Sequence, residues 1–285
     1  MSQITPQMVK ELREKTGAGM GDCKQALTDS DGDMNAAIET LRKKGAASAS
    51  KRSDRSANEG IVGTIVSADG TKAVMVEINC ETDFVARNAE FEKYVETVTD
   101  AYMNNEAKSL DEILALKVGT DTIQGLHNEI LAKFSEKIQI HRFIKIDTKG
   151  FVAVYVHAGS KLAVLVDTSA SNPSEAIRAN IRDIAMQIAA MNPQFVDRTE
   201  VNQETIAKEI EIYKEAAIQE GKKPDVAERV ATGRLEKFYQ EQCLLEQAYV
   251  KDGNKTISDV LKDISKEFGS EVKINSFTRF FLGEA

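Results

Sequence analysis

Two periodicities divide the chain. Up to about residue 45 the apolar positions recur every three or four residues, and from Gly60 they alternate. Thr5-Pro6 supplies a hydroxyl cap with proline at the first helical position. Met8, Val9 and Leu12 then share one face, which predicts a helix ending near Thr16-Gly17. Gly17-Ala18-Gly19-Met20-Gly21 reads as a turn. Cys23, Ala26 and Leu27 predict a second helix over about 22–28. Asp31-Gly32-Asp33 breaks it, and Ala37, Ile38 and Leu41 predict a third. Residues 46–59 are small, polar and charged without an apolar stripe, and read as a linker that starts helical. The basic stretch of Lys43, Lys44, Lys51, Arg52 and Arg55 reads as a solvated face rather than an RNA contact.

Ile61–Val66, a turn at Ala68-Asp69-Gly70 and Lys72–Ile78 predict a β-hairpin. The same pattern returns 90 residues later: between 60–79 and 150–169, seven of 20 residues are identical without a gap. Two related α+β subdomains follow from that repeat alone. After the first hairpin, Phe91, Tyr94, Val95 and Val98 mark a helix, and Ser109-Leu110-Asp111-Glu112 is a capping pattern. Residues 122–138 read as helical and 138–146 as a strand leading into the second hairpin. In that hairpin Val152, Val154 and Val156 lie on one face and Phe151, Ala153 and Tyr155 on the other, with His157-Ala158-Gly159-Ser160 as the turn. Asn172-Pro173-Ser174 starts a long helix carrying Ile177, Ile181, Ile184 and Ile188. Ile206, Ile210, Tyr213 and Ala217 form a heptad-like seam, Gly221-Lys222-Lys223-Pro224 turns the chain, and Val226, Val230 and Gly233 continue the spacing. This predicts an antiparallel helical hairpin projecting from the core. A last helix begins at Thr256 and ends near Gly269, and 272–282 read as a strand.

The expected class is therefore α+β. A three-helix domain that looks like the ubiquitin-associated type occupies 1–55. Two related subdomains with antiparallel sheets occupy 56–140 and 141–285, with the helical hairpin inserted at about 202–240. A net charge of −8 argues against a nucleic-acid binder. No apolar run approaches 18 residues, so no membrane span is expected, and the N-terminus lacks the apolar stretch of a signal peptide. Cys23, Cys80 and Cys243 are odd in number and share no metal spacing, which reads as reduced thiols in a cytosolic protein. His127, His141 and His157 form no ligand pair, so no metal or other cofactor is expected. The Gly17–Gly21 turn follows no strand and lacks the Lys-Ser/Thr of a phosphate loop. No nucleophile–base–orienter set is identifiable, and the chain is not expected to be an enzyme.

Candidate chemistry centres on Asn79-Cys80-Glu81-Thr82-Asp83-Phe84-Val85-Ala86-Arg87-Asn88. Thr82 or Asp83 can cap the helix that follows. For Phe84 and Val85, the bland reading is apolar residues tucked under the sheet. The sharper one is an aromatic held out beside a carboxylate to enter a pocket on another protein. The run resembles the signature of the elongation factor Ts family, nucleotide exchange factors for elongation factor Tu. Val9–Arg13 through Met20, Asp22-Cys23-Lys24 and 183–191 are similar to that family too. The resemblance implies that Thr82, Asp83, Phe84 and Val85 are pushed into the GTPase and disturb its Mg²⁺ and phosphate site. It implies that Arg13 and Met20 dock on a helix of the GTPase domain, and that His157 touches the partner's third domain. Many members have a second methionine where this chain has Gly21, and the loop after His157 differs among members. Some carry a further helix after the last strand. This sequence ends at Ala285, so contacts made by that helix are expected to be missing. The family also carries a coiled-coil insertion where the helical hairpin falls, which could serve self-association into a homodimer or a second partner contact. The expected function is exchange of GDP on elongation factor Tu in the cytoplasm. The alternative is a non-catalytic adaptor built on the ubiquitin-associated-like module.

Overall fold

A computed structural model describes residues 4–50, 52 and 54–284, with the side chains of 45–50 outside the description. The expected linker residues 51 and 53 lie outside it as well. The N-terminal unit comprises α1 (Pro6–Thr16), α2 (Met20–Asp29) and α3 (Met34–Ser50). Thr5 caps α1 by accepting from Met8 N, and Gly17 closes it in the left-handed region, donating to Arg13 O. Val9, Leu12, Cys23, Ala26, Leu27, Ala37 and Leu41 make the core of this unit. α2 begins at Met20, two residues earlier than expected, and α3 continues into the start of the linker, as the sequence predicts.

The first α+β unit follows: β1 (Glu59–Val66), β2 (Lys72–Cys80), α4 (Asp83–Ala86), α5 (Ala89–Asn104), α6 (Leu110–Ala115), β3 (Lys117–Val118), β4 (Asp121–Thr122), α7 (Ile123–Lys133) and β5 (Gln139–Asp147). The second has β6 (Phe151–Val156), β7 (Leu162–Thr168), α8 (Glu175–Met191), α9 (Gln203–Gln219), α10 (Pro224–Gln242), β8 (Ala248–Tyr249), β9 (Asp252–Thr256), α11 (Ile257–Phe268) and β10 (Ile274–Phe281). The main sheets are antiparallel with orders β1-β2-β5 and β10-β7-β6. Each is a hairpin whose second strand also pairs with a strand that returns after several helices.

This topology corrects one boundary. The segment expected to lead into the second subdomain is β5, which pairs with β2 along its length. The division expected after residue 140 therefore falls inside a strand of the first sheet, and the change of sheet comes between Asp147 and Phe151. The helix expected over 122–138 ends at Lys133, because the carbonyls of Phe134 and Glu136 turn to the Arg52 guanidinium instead.

The two sheets stack face to face. Ala73 and Met75 of β2 meet Val152, Ala163, Leu165 and Phe280 of the second sheet, together with Leu282 just past its last strand. The opposite face of β2, with Val74, Val76, Ile78 and Cys80, packs under α5 and α7. Phe151, Ala153, Val164 and Val166 pack under α8 and α11. The result is four layers: helices, sheet, sheet, helices. β2 and β7 are covered on both faces, which explains their continuous apolar runs. The repeat is also reciprocal in space. Val62 N donates to Ser160 O at 2.8 Å, and Val152 N donates to Gly70 O at 2.8 Å. These residues are related by the same 90-residue offset, so each hairpin turn holds the first strand of the other, as in a two-fold contact. Gly60 and Gly150 are equivalent as well. A Cβ on either would overlap the carbonyl oxygen of Ile78 or Thr168.

The α9–α10 arm is an antiparallel hairpin about 25 Å long at 1.5 Å per residue. Its α10 seam differs from the expected one. Ala227, Ala231, Leu235 and Tyr239 are buried, while Val226 and Gly233 face solvent. One residue is a 100° rotation, and the small alanines let α10 approach Ala217 of α9 closely.

Candidate partner-docking site

β2 delivers the chain at Cys80 to a tight bend, and α4 is a single turn. Thr82 is extended (φ −125°, ψ 153°) and its Oγ1 accepts from Val85 N at 3.4 Å. Ala86 N, Arg87 N and Asn88 N donate to Thr82 O, Asp83 O and Val85 O. Asn88 then caps α5 through Glu90 N at 2.9 Å. Four residues of helix cover a full circumference, so the turn must present two sides. Val85 and Ala86 enter the core, with Val85 8% exposed. Phe84 points away and is 84% exposed. Burying such a side chain is worth about 1.5–3 kcal/mol, a stabilisation this position forgoes. The structure thus separates two residues that the sequence placed together: Phe84 is on the surface, and Val85 anchors the turn. Asp83 sits beside Phe84 and pairs with Arg87 at 3.2 Å.

The base of the turn is held by a residue that the sequence did not single out. Glu136 Oε2 accepts from Glu81 N and Thr82 N, both at 3.0 Å, and Oε1 accepts from the Thr82 hydroxyl at 2.5 Å. Glu81 reaches back, accepting from Lys137 N at 2.6 Å and Arg55 Nη1 at 3.3 Å. The Lys137 amide, with help from Arg55, holds the Glu81 carboxyl below the usual range. The Cys80 thiol donates to Thr82 O at 3.2 Å, and burial pushes it up to about 12, which leaves it protonated. Only the pattern Glu-Lys just before an alternating strand marks residues 136–137 in the sequence, and that pattern carries no specific signal.

The remaining expected site residues lie on other units. Arg13 is exposed on α1, and Met20 opens α2 at 45% exposure. A Cβ on Gly21 would meet nothing within 4 Å, so this position has room for a side chain. The N-terminal unit rests on α7. Arg42 pairs with Asp121 at 3.0 Å and with Glu129, and Lys133 passes under Gly17 to Glu90. A groove of about 660 Å³ lies between the two, lined in part by Ile38, Leu41, Tyr94, Leu126 and Ile130. His157 is exposed at the β6–β7 turn, with Nδ1 2.9 Å from the Tyr155 hydroxyl and its amide donating to Leu162 O. Phe84, the Arg13–Met20 pair and His157 are thus exposed on three separate units.

Among the described residues no group of three or more His, Cys, Asp or Glu is arranged to hold a metal ion, and no helix is long and apolar enough to cross a membrane. His127 is half-buried, its Nδ1 2.7 Å from the Tyr94 hydroxyl, and burial pushes it down to about 4. It is a neutral interior group far in character from an exposed docking residue.

The family model for Elongation factor TS matches residues 81–284. The Elongation factor Ts of Chloroherpeton thalassium is 44% identical over 289 residues, covering all of both chains. That of Clostridium perfringens strain SM101 is 45% identical over 99% of this chain and 93% of its own. The Elongation factor Ts of Chlorobium phaeobacteroides is 43% identical over 99% of this chain and all of its own. With the family model matched from the docking turn through the second sheet, and relatives of this similarity along the full length, the chain belongs to the elongation factor Ts family of translation elongation factors.

Proposed function

We propose that this chain is a guanine nucleotide exchange factor acting in the cytoplasm on elongation factor Tu with GDP bound. The observation that carries the reading is Phe84, an aromatic left in solvent on a turn whose flanking backbone amides, at 81–82 and 85–88, are hydrogen-bonded. Such a side chain buries a large area on docking with few torsions to freeze. Asp83 and Phe84 enter the GTPase next to its Mg²⁺ site and shift the elements that coordinate the ion. Loss of that coordination removes charge neutralisation around the β-phosphate, and GDP leaves faster. No bond is made or broken, so the chain is not an enzyme in the chemical sense. Exchange is linkage: a factor that binds the nucleotide-free GTPase more tightly must weaken nucleotide binding by the same factor. Arg13 and Met20 provide a second contact on the GTPase domain, and His157 a third on another domain. The spread of these three points over separate units suits a partner that is itself multidomain.

The test is stopped-flow release of fluorescent GDP from elongation factor Tu of the same source. The wild-type chain should accelerate release strongly. Phe84→Ala should lose about 2–4 kcal/mol of productive binding, roughly 30- to 1000-fold in efficiency. Absence of acceleration at saturating wild-type chain would remove the proposal.

A further inference from the structure

Three segments meet behind the docking turn. Arg52 and Arg55 belong to the connector from the N-terminal unit, 81–82 precede α4, and 134–137 join α7 to β5. The Glu136 carboxylate takes three donors from 81–82, two backbone amides and the Thr82 hydroxyl. Its own backbone is held from the other side, since Arg52 Nη1 donates to Glu136 O at 2.7 Å and to Phe134 O at 3.2 Å. Arg52 is 8% exposed, although it lies in a stretch of sequence that reads as solvated linker. Lys137 Nζ donates to Arg55 O at 3.0 Å, and Arg55 bonds Glu81, which closes the ring. Phe84 is too exposed to be located by packing. Its position follows from the backbone of 82–86, set on one side by Val85 and Ala86 in the core and on the other by this carboxylate.

We propose that Glu136 is the positioning residue for the Phe84 turn, and that Arg52 ties that position to the connector of the N-terminal unit. The inference rests on the exchange reading, because it assigns Glu136 an effect that passes through Phe84. Charge-assisted bonds to consecutive amides are strong and directional, so they hold the turn in its docking conformation before the partner arrives. Without them the partner must order the turn as it binds, and affinity and rate both fall.

The experiment is a mutant cycle read by GDP release. Glu136→Ala should lower exchange efficiency roughly 10- to 100-fold. Glu136→Gln should stay within about threefold, because its carbonyl oxygen can take both amides and its amide nitrogen can donate to Thr82 Oγ1. In the Phe84→Ala background, Glu136→Ala should cost less than about a further twofold, since the side chain it positions is gone. An equal loss in both backgrounds overturns the proposal, as does a Glu136→Gln variant as poor as Glu136→Ala. If Glu136→Ala does not fold, Glu136→Asp, one methylene short of the three donors, takes its place in the cycle. Amide hydrogen exchange on the free chain gives an answer independent of the GTPase. Protection of Glu81 and Thr82 should fall in Glu136→Ala while that of Val74–Ile78 is kept, and unchanged protection at 81–82 sinks the idea. If the wild-type chain fails to release GDP but these amides behave as described, the exchange reading fails and the clamp stands.

Discussion

Ninety residues separate Phe84 from Ser174, the offset that relates the two hairpins, and both follow the second strand of their hairpin. One holds an aromatic in solvent on a single helical turn. The other caps α8, a 17-residue helix, by accepting from Ile177 N. The loop after the second strand is tied down in both units to the residues before the third strand. In the second unit neutral groups suffice: Ser169 N donates to Lys273 O and Lys273 N donates to Ser169 Oγ, both at 2.9 Å. In the first unit the carboxylates of Glu81 and Glu136 do it. The difference is intelligible from what each loop leads into. α8 is secured by Ile177, Ile181, Ile184 and Ile188, whereas α4 has only Val85 and Ala86 inward and must keep an exposed ring in place. A duplicated scaffold can therefore supply stability twice and a docking element once.

The sharpest way to break this comparison lies one step earlier on the strands. Glu77 is fully buried between the sheets, paired with Arg142 at 2.6 Å and bonded by Asn79. Arg142 also stacks on Phe280 and donates to Phe281 O, so it joins the two units. The residue equivalent to Glu77 is Asp167, half-buried and bonded to the exposed Asn275 at 3.2 Å. Arg142→Met should cost about 3–5 kcal/mol by urea unfolding, because it strands a buried carboxylate. Asn275→Ala should change stability by less than about 1 kcal/mol. Similar losses from the two would show that the units carry their polar seams alike.

The next effect separates docking from stability at the matched positions. Phe84→Ala should leave the unfolding free energy within about 0.5 kcal/mol of wild type, since its ring is already in water. Ser174→Ala should lose about 1 kcal/mol of stability through the missing cap and leave GDP release unchanged. A large stability loss in Phe84→Ala would place the ring in the fold rather than on a partner.

The smallest effect is in acid. His127 belongs to the first unit, and its folded value of about 4 lies below the ordinary 6.5. The unfolded chain therefore binds more protons between these values. The stability this group contributes is intact above pH 6.5 and is lost as pH falls toward 4. Urea unfolding should show a drop of about 1 kcal/mol from this source between pH 7 and pH 5.5. Joint replacement by His127→Leu and Tyr94→Phe, which removes the group and its hydroxyl partner together, should flatten that part of the profile.

Much of this architecture is written locally. Thr5-Pro6, Ser109 and Thr256 each begin a helix as their positions predict, and the alternation at 61–78 and 151–166 specifies two hairpins with their covered faces. Less was legible where a distant group overrides the local pattern. Residues 134–138 continue an apolar helical spacing, yet Arg52, more than 80 residues away, takes their carbonyls and the helix stops. β5 was legible as a strand but not as a partner of β2, because alternation specifies a face and not a neighbour. The α10 seam was missed by one position, since alanines carry little hydrophobic signal and earn their place only when a second helix is close.

The sequence by itself determined the helical N-terminal unit, the duplicated hairpins, the projecting arm and the turn at Thr82–Val85, because capping, periodicity and repetition are properties of neighbouring residues. Only the tertiary structure decided that Phe84 faces water while Val85 faces the core, that Glu136 and Arg52 meet behind that turn, and that each hairpin turn holds the other unit's first strand. Those outcomes depend on which surfaces remain after the sheets have stacked and on donors and acceptors brought together from segments dozens of residues apart, and no local pattern encodes either.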